Sequence, residues 1–374
     1  VSVFRISVYD KDRNFRGQVG NPLSLEVTPR FDTVGTLRMT VATGHKRFDD
    51  LFADGARLKV SFRGEHLISG PITADELVTD GVSGTYTVTV EDDWRVLREI
   101  IGWPVPASPI SNQTAAEYRT YTGNAETVLK DAVTENGVNR LAVPGLTVAP
   151  DLGRGAVIPG GVPLRMHALA DQLFPALTEA GVGVSVKQVG ANLVLDVVEP
   201  QTHPRALSVR GRTLKQATLT RKRPTASRVV VGGQGEGTAR NFRLVTDAAR
   251  ESQYGMRAET FRDARDNDAA DVMDSRANET LTEAGPQNGI ALTLAGSGIF
   301  QYGPGGFHVG DRIPVEVAPG VVITEVIQEC TIKWVSPQYA SSDPKVGELT
   351  NQPERVTAQR MAALNKRLRN QEAR

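Results

Sequence analysis

Cysteine is almost missing from this 374-residue sequence, in which Cys330 stands alone. An internal disulfide is thereby excluded, and so is a four-cysteine metal site. Aromatic residues make up 6% of the chain, few for a surface that stacks bases or sugar rings. Neither sign of charge prevails: 43 Lys and Arg stand against 43 Asp and Glu. No global field draws the chain to nucleic acid or to an acidic surface, and only local patches remain for such contacts. No apolar run approaches the roughly 20 residues that cross a bilayer. The opening VSVFRISVYD alternates like a strand and lacks the charged segment and apolar core of a leader. The expectation is a soluble chain with no cleaved signal and no stable membrane insertion. His45, His66, His167, His203 and His308 fall in different segments without HExxH spacing, and no serine occupies a GxSxG elbow. Metalloprotease, amidase and α/β-hydrolase chemistry therefore have no motif here.

What is abundant is turn-forming residues, with 36 glycines and 21 prolines, many set between short alternating runs. FRISVYD, LSLEVTP, TLRMTVAT, RLKVSFRG, HLISGPIT and TYTVTVED carry period-two patterning over the first hundred residues, and HKRFDDLFADG interposes a short helix. Closing such strands on themselves removes exposed edges, so a small barrel or sandwich is expected. DWRVLREIIGWP then gives a short helical segment stopped by Pro104. NAETVLKDAVTENG predicts a helix capped by Asn124 with an apolar stripe of Val128, Leu129, Ala132 and Val133. VPLRMHALADQLFPALTEAG predicts a second helix with Pro175 as a kink or interruption, and GVSVKQVGANLVLDVVEP a hairpin turning near Gly190. Strands return after residue 206 in SRVVVGG, NFRLVTD, IALTLAG, DRIPVEV, VVITEVIQE and CTIKWVSP; alternation in the last two places Cys330 in a strand core. Between them MRAETFRDARDNDAADVMDSRANETLTEAG is expected as a long amphipathic helix over about 258–284, with Phe261, Ala269, Val272, Met273, Ala277 and Leu281 on its buried side. The ending from Glu354 onward is expected as a basic helix or interaction tail.

SRVVVGGQGEGTARNFRLV looks at first like a phosphate cradle. A Walker loop needs a lysine and then serine or threonine after its glycines, whereas this loop continues Gly237, Thr238, Ala239, Arg240. A dinucleotide fingerprint needs a helix opening on the glycines, and NFRLVTD alternates like a strand. No cofactor is expected; the glycines shape backbone. The aspartates at 263, 266, 268, 271 and 274 lack the glycine and distal glutamate of a calcium loop, and Arg262, Arg265 and Arg276 stand at helical spacing to pair with them. Glu251, Glu259 and Asp263 are the carboxylates from which a glycan hydrolase would have to be assembled. Arg221, Lys222 and Arg223, followed by Arg228 and Arg240, form the local basic patch that could touch phosphates of passing DNA.

The order of these features carries a resemblance. TRKRPTASRVVVGGQGEGTARNFR, then ESQYGMRAETFRDARD, then GPGGFHVGDRIPVEV resemble the baseplate hub, or tail-associated, minor tail proteins of long-tailed bacteriophages, especially those of actinobacterial phages. The resemblance implies a mainly β fold with an α+β insertion: two tube-like β-barrel or sandwich domains, a small α/β domain and a long bracing helix. The corresponding boundaries are 1–100, 101–205, 206–350 and a tail over 351–374. It implies a structural, non-enzymatic hub at the virion tail tip, assembled in the host cytoplasm as a homotrimer. Its partners would be the tail tube or distal-tail protein and a central fibre or spike, with transient contact to phage DNA during ejection. Carried onto this sequence, Arg228, Gly232, Gly233, Gly235, Gly237 and Arg240 would shape and anchor a hub loop. Tyr254, Gly255, Arg257, Glu259, Phe261, Asp263 and Arg265 would form a turn and helix bracing the second β domain. Phe307, Gly310 and Asp311 would end a loop and start a strand. A carbohydrate-binding tail adaptor, or an envelope glycan hydrolase, is the alternative.

Overall fold

The computed structural model describes residues 3–265, 269–294 and 301–347. The tail over 351–374 and Asp266, Asn267 and Asp268 lie outside the described residues. The chain forms two compact units, Val1–Ala217 with Ala291–Gly347, and Thr218–Ile290. The mainly β architecture with helical insertions is the one expected, but its division is not the one expected at 100 and 205.

The reason lies in strand pairing. Within the first unit the hydrogen-bonded path runs Tyr339–Gly347, Val321–Ser336, Ser24–Thr28, Thr36–Ala42, Gly84–Glu91, Glu65–Thr79, Arg57–Phe62, Phe4–Tyr9, Phe15–Val19, with Arg312–Ala318 also on Val321–Ser336. The late strands therefore continue the sheet of the first ninety residues, through Ile332 opposite Val27 and Lys333 opposite Glu26. Alternation explains the strands: Leu37, Met39 and Val41 of TLRMTVA are buried, as are Cys330 and Ile332. Burial pushes the Cys330 thiol well above its usual range, which leaves it an inert core group.

The middle segment belongs to the same unit. Asn124 Oδ1 accepts the Thr127 amide at 3.0 Å and starts the helix Ala125–Val133, which widens into a π-helical stretch over Thr134–Arg140. Leu169–Glu179 forms the second helix, and it is not broken at Pro175. Leu129, Leu173, Leu177, Leu195 and the Gly183–Val189 hairpin strand share one core. Glu126, buried, is held between Lys130 and Arg154, which keeps its carboxyl far below the usual range.

Two polar seams lock this segment to the strands. Arg57 Nη2 donates to Asp93 Oδ1 at 2.5 Å, Ser69 Oγ donates to Asp93 Oδ2 at 2.7 Å, and the Gln188 amide donates to Ser69 Oγ at 3.0 Å. The second seam is the Phe31–Asp32 turn. The Phe31 ring lies against the Cα atoms of Gly183 and Gly310, where any Cβ would collide with it. Asp32 Oδ1 accepts the Val184 amide at 2.9 Å, while its Oδ2 is buried with no partner among the described residues. Desolvation raises the Asp32 carboxyl to about 7.

That shift fixes a sign. Because the folded value lies above the unfolded value near 3.8, the native state holds this proton more tightly. The associated stability is present at low pH and is lost as pH rises through about 7. Asp32→Asn removes the titration, so its stability relative to the parent should improve by about 2 kcal/mol on going from pH 5 to pH 8. Urea unfolding at the two pH values measures this; a constant difference would show that Asp32 does not titrate in the native state.

Candidate functional site

The second unit is built around Arg228–Gly232. Three consecutive valines favour the strand, and Val229 and Val231 share a core with Ala264 and with Met273, Ala277 and Leu281 of the helix Ala270–Glu283, which covers that face. Phe242–Thr246 pairs with this strand antiparallel, and Glu259–Asp263 pairs with it parallel. A parallel neighbour needs a crossover, and the helix Ala248–Tyr254 supplies it. Asp247 Oδ1 caps its start by accepting the Arg250 amide at 2.9 Å, and Gly255, at φ 61°, ends it in the left-handed region.

This corrects the single helix expected over 258–284. Residues 259–263 are a strand, and the helix begins at Ala270. Phe261 is accordingly 53% exposed on the sheet and takes no place on the buried side of the helix, whereas Met273, Ala277 and Leu281 do. The physical reason is tertiary: the alternating ETFRD gains a full register of hydrogen bonds to RVVVG, which outweighs its helical spacing.

The glycines between the two antiparallel strands differ in what they do. The Gly233 amide donates to Asn241 O at 2.9 Å, and the Asn241 amide to Gln234 O at 3.2 Å; Gly237–Ala239 makes one 3₁₀ turn. Gly235 has φ 99°, and a Cβ there would strike the Ala239 carbonyl. Gly237 has φ 55° with open space around it. The Gly233, Ala239 and Asn241 amides are spent on carbonyls inside the loop, and no helix of two turns opens on its glycines, as a dinucleotide site would require.

Gly232 has a different role. A Cβ on it would run into the Arg240 guanidinium, which lies across the sheet there. Arg240 Nη2 donates to Gly232 O at 3.0 Å and Nε to Gly233 O at 3.2 Å, and the group also pairs with Asp263. The Phe242 and Phe261 rings stand on either strand at 5.6 and 5.4 Å from its carbon. At the other end of the strand Arg228 grips Glu251 with Nε at 2.5 Å and Nη2 at 3.2 Å, which holds that carboxyl below its usual range. Arg257 joins Glu251 at 3.5 Å, Arg265 joins Asp263 at 3.3 Å, and Tyr254 lies under Arg223. Glu259 is exposed opposite Arg228.

The structure thus gathers Arg228 through Arg265 into one small domain. Phe307, Gly310 and Asp311 belong to the other unit. Phe307 is buried edge-on to Tyr302 at 5.5 Å. The Gly310 amide donates to Ile327 O at 2.8 Å, and Asp311 Oδ2 accepts the His308 amide at 2.8 Å just before the strand Arg312–Ala318. Of the three carboxylates considered for glycan cleavage, Glu251 is held by Arg228, whose strand partner is Glu259. Asp263 and Glu259 lie four strand residues apart, about 13 Å at the usual rise, beyond the separation of a catalytic pair. Among the described residues no group of His, Cys, Asp and Glu is placed to hold a metal ion. Phe242 and Leu244 went unnoticed as surface groups; their signal was NFRLVTD carrying apolar residues on both of its alternating faces.

A family model of siphovirus ReqiPepy6 Gp37-like proteins matches residues 5–348. The chain belongs to that family. The fold of this Gp37-like chain is shared by three tail proteins of known structure. The 43 kDa tail protein of prophage MuSo2 from Shewanella oneidensis has a TM-score of 0.55 and 14% identity, covering 92% of this chain and 97% of that one. The tail protein from Neisseria meningitidis MC58 has a TM-score of 0.54 and 12% identity over 93% and 97%. Prophage tail protein gp18 from Listeria monocytogenes EGD-e has a TM-score of 0.54 and 12% identity over 96% and 99%. No curated protein matches the sequence. Family and fold together are those of phage tail structural proteins.

Two comparisons test the loop. Gly235→Ala should destabilise the second unit by about 1–3 kcal/mol, while Gly237→Asn should change it by less than about 0.5 kcal/mol. Arg240→Ala should cost about 2 kcal/mol because two carbonyls and a carboxylate lose their donor, against almost nothing for the exposed Arg265→Ala. Hydrogen exchange of the Val229–Val231 amides reads both effects, and equal protection in all four variants would contradict this assignment.

Proposed function

We propose that this Gp37-like protein is the structural hub of a phage tail tip. In this reading three copies form a ring that receives the tail tube or distal-tail protein on one side. On the other side the ring docks a central fibre or spike. The chain lines or closes the passage and performs no catalysis. The observation that carries the reading is the family match over residues 5–348, in a chain whose fold coincides nearly end to end with tail proteins of similar length. The engagement of Glu251 by Arg228 and of Asp263 by Arg240 supports a structural role over glycan cleavage. Arg221, Lys222 and Arg223 are exposed and are the groups suited to transient contact with passing DNA. The likeness to proteins of actinobacterial phages belongs to the same reading and would set the host.

In an assembled tail tip the chain is expected in the axial ring, in three copies. Density for it only on an outer fibre would remove the hub assignment, and saturable glycan binding by such a fibre-borne chain would favour the carbohydrate adaptor. Gly233→Val with Gly235→Val should reduce complete tails at least tenfold, scored by electron microscopy and plaque titre. Undiminished assembly by that variant would separate the loop from the ring.

A further inference from the structure

The helix Ala270–Glu283 covers only one face of the Arg228–Gly232 sheet. On the other face register places Val230, Phe242, Leu244 and Phe261 together, with the last three 58%, 54% and 53% exposed and the two rings beside the Arg240 guanidinium. A sheet face of this composition ordinarily packs on a further layer. Arg221, Lys222, Arg223, Arg257 and Arg265 are exposed cations of this unit, while Arg243 and Arg262 turn to the helix side.

The first unit carries a surface of the opposite character. From Gly64 to Trp94 there is no lysine or arginine. The strand Glu65–Thr79 pairs with Arg57–Phe62 only as far as Pro71 and with Gly84–Glu91 from Ile72 onward, so beyond Pro71 one of its edges has no strand on it among the described residues. This stretch exposes Leu77 (42%), Val78 (59%) and, at the turn, Val82 (96%), interleaved with the acidic Asp75, Glu76 and Asp80. Asp80 Oδ1 accepts the Val82 and Ser83 amides at 2.9 and 2.7 Å, so the turn that presents Val82 is internally braced.

We propose that the open sheet face of one copy docks the 72–84 hairpin of a second copy. Apolar groups at the hairpin end meet Phe242, Leu244 and Phe261, and the hairpin carboxylates meet the arginine-rich surround, so charge fixes the partner while apolar area supplies the adhesion. The two patches differ, so the contact is heterologous, and repetition of such a contact closes a ring when its rotation permits. The inference rests on the multi-copy hub reading and names the surfaces that would join its copies.

Two full-length chains of different tag size, one carrying Val82→Cys and the other Leu244→Cys, test it, since Cys330 is buried in both. After mixing and mild oxidation, the expected product is the mixed disulfide dimer, at least tenfold over either same-variant dimer. Asp75→Lys with Glu76→Lys in the first chain should reduce its yield at least fivefold. Thermal melts matching the parent exclude misfolding as a cause. Folded chains that give no mixed product overturn the proposal, as does a single chain with both cysteines that closes only on itself. A closed multimer that forms without the mixed crosslink sinks this contact and leaves the hub standing. A chain found off the tail axis sinks the hub, whatever the crosslink shows.

Discussion

A guanidinium can lie flat across a β-sheet only where the sheet has no side chain, and Gly232 provides that gap for Arg240. Everything on the open face of the second unit depends on this exchange of a Cβ for a cation. The Arg240 group ties the strand Arg228–Gly232 through its carbonyls to Asp263 on the neighbouring strand, and it folds the glycine loop back over its own root. The loop is then closed by Gly235, whose φ of 99° lets the chain pass the Ala239 carbonyl. An arginine so engaged, only 12% exposed, is part of the domain's own architecture and not a free anchor. What it offers outward is the pair of aromatic rings that it spaces.

The same logic separates the two aspects of the sheet. On the helix side Arg243 reaches Asp274 with two bonds of 2.7 Å, and Arg262 reaches Glu279, so charges there are neutralised within the unit around a small valine and methionine core. On the open side the charges gather at the two ends of the central strand and leave the apolar groups between them uncovered. A monomer gains nothing from that arrangement, whereas a chain that assembles gains a surface with defined polarity.

How much of this was legible follows from range. Asn124 as a cap, the Gly190 turn and the strand-core Cys330 are local signals, and the structure has them where the sequence puts them. The loss of the phosphate reading was local too, because a missing lysine and a following strand are visible in the string. ETFRD misled because its apolar spacing suits a helix, and only a partner strand thirty residues away decides otherwise. The domain boundaries failed for the same cause: nothing near Ile332 announces that it will stand opposite Val27. Asp32 was equally silent, since a buried, half-satisfied carboxylate looks in sequence like any turn aspartate.

Strand pairing also governs how the chain enters and leaves the second unit. The second unit is inserted between Leu214–Lys222 and Gln287–Leu294, which are neighbours in the sheet order, so its entry and exit are held together by backbone bonds. An insertion whose ends are already close adds little loop entropy to the host unit. Within the first unit the seams at Asp93 and Phe31 hold the middle segment with buried charge and two glycines fitted to one ring.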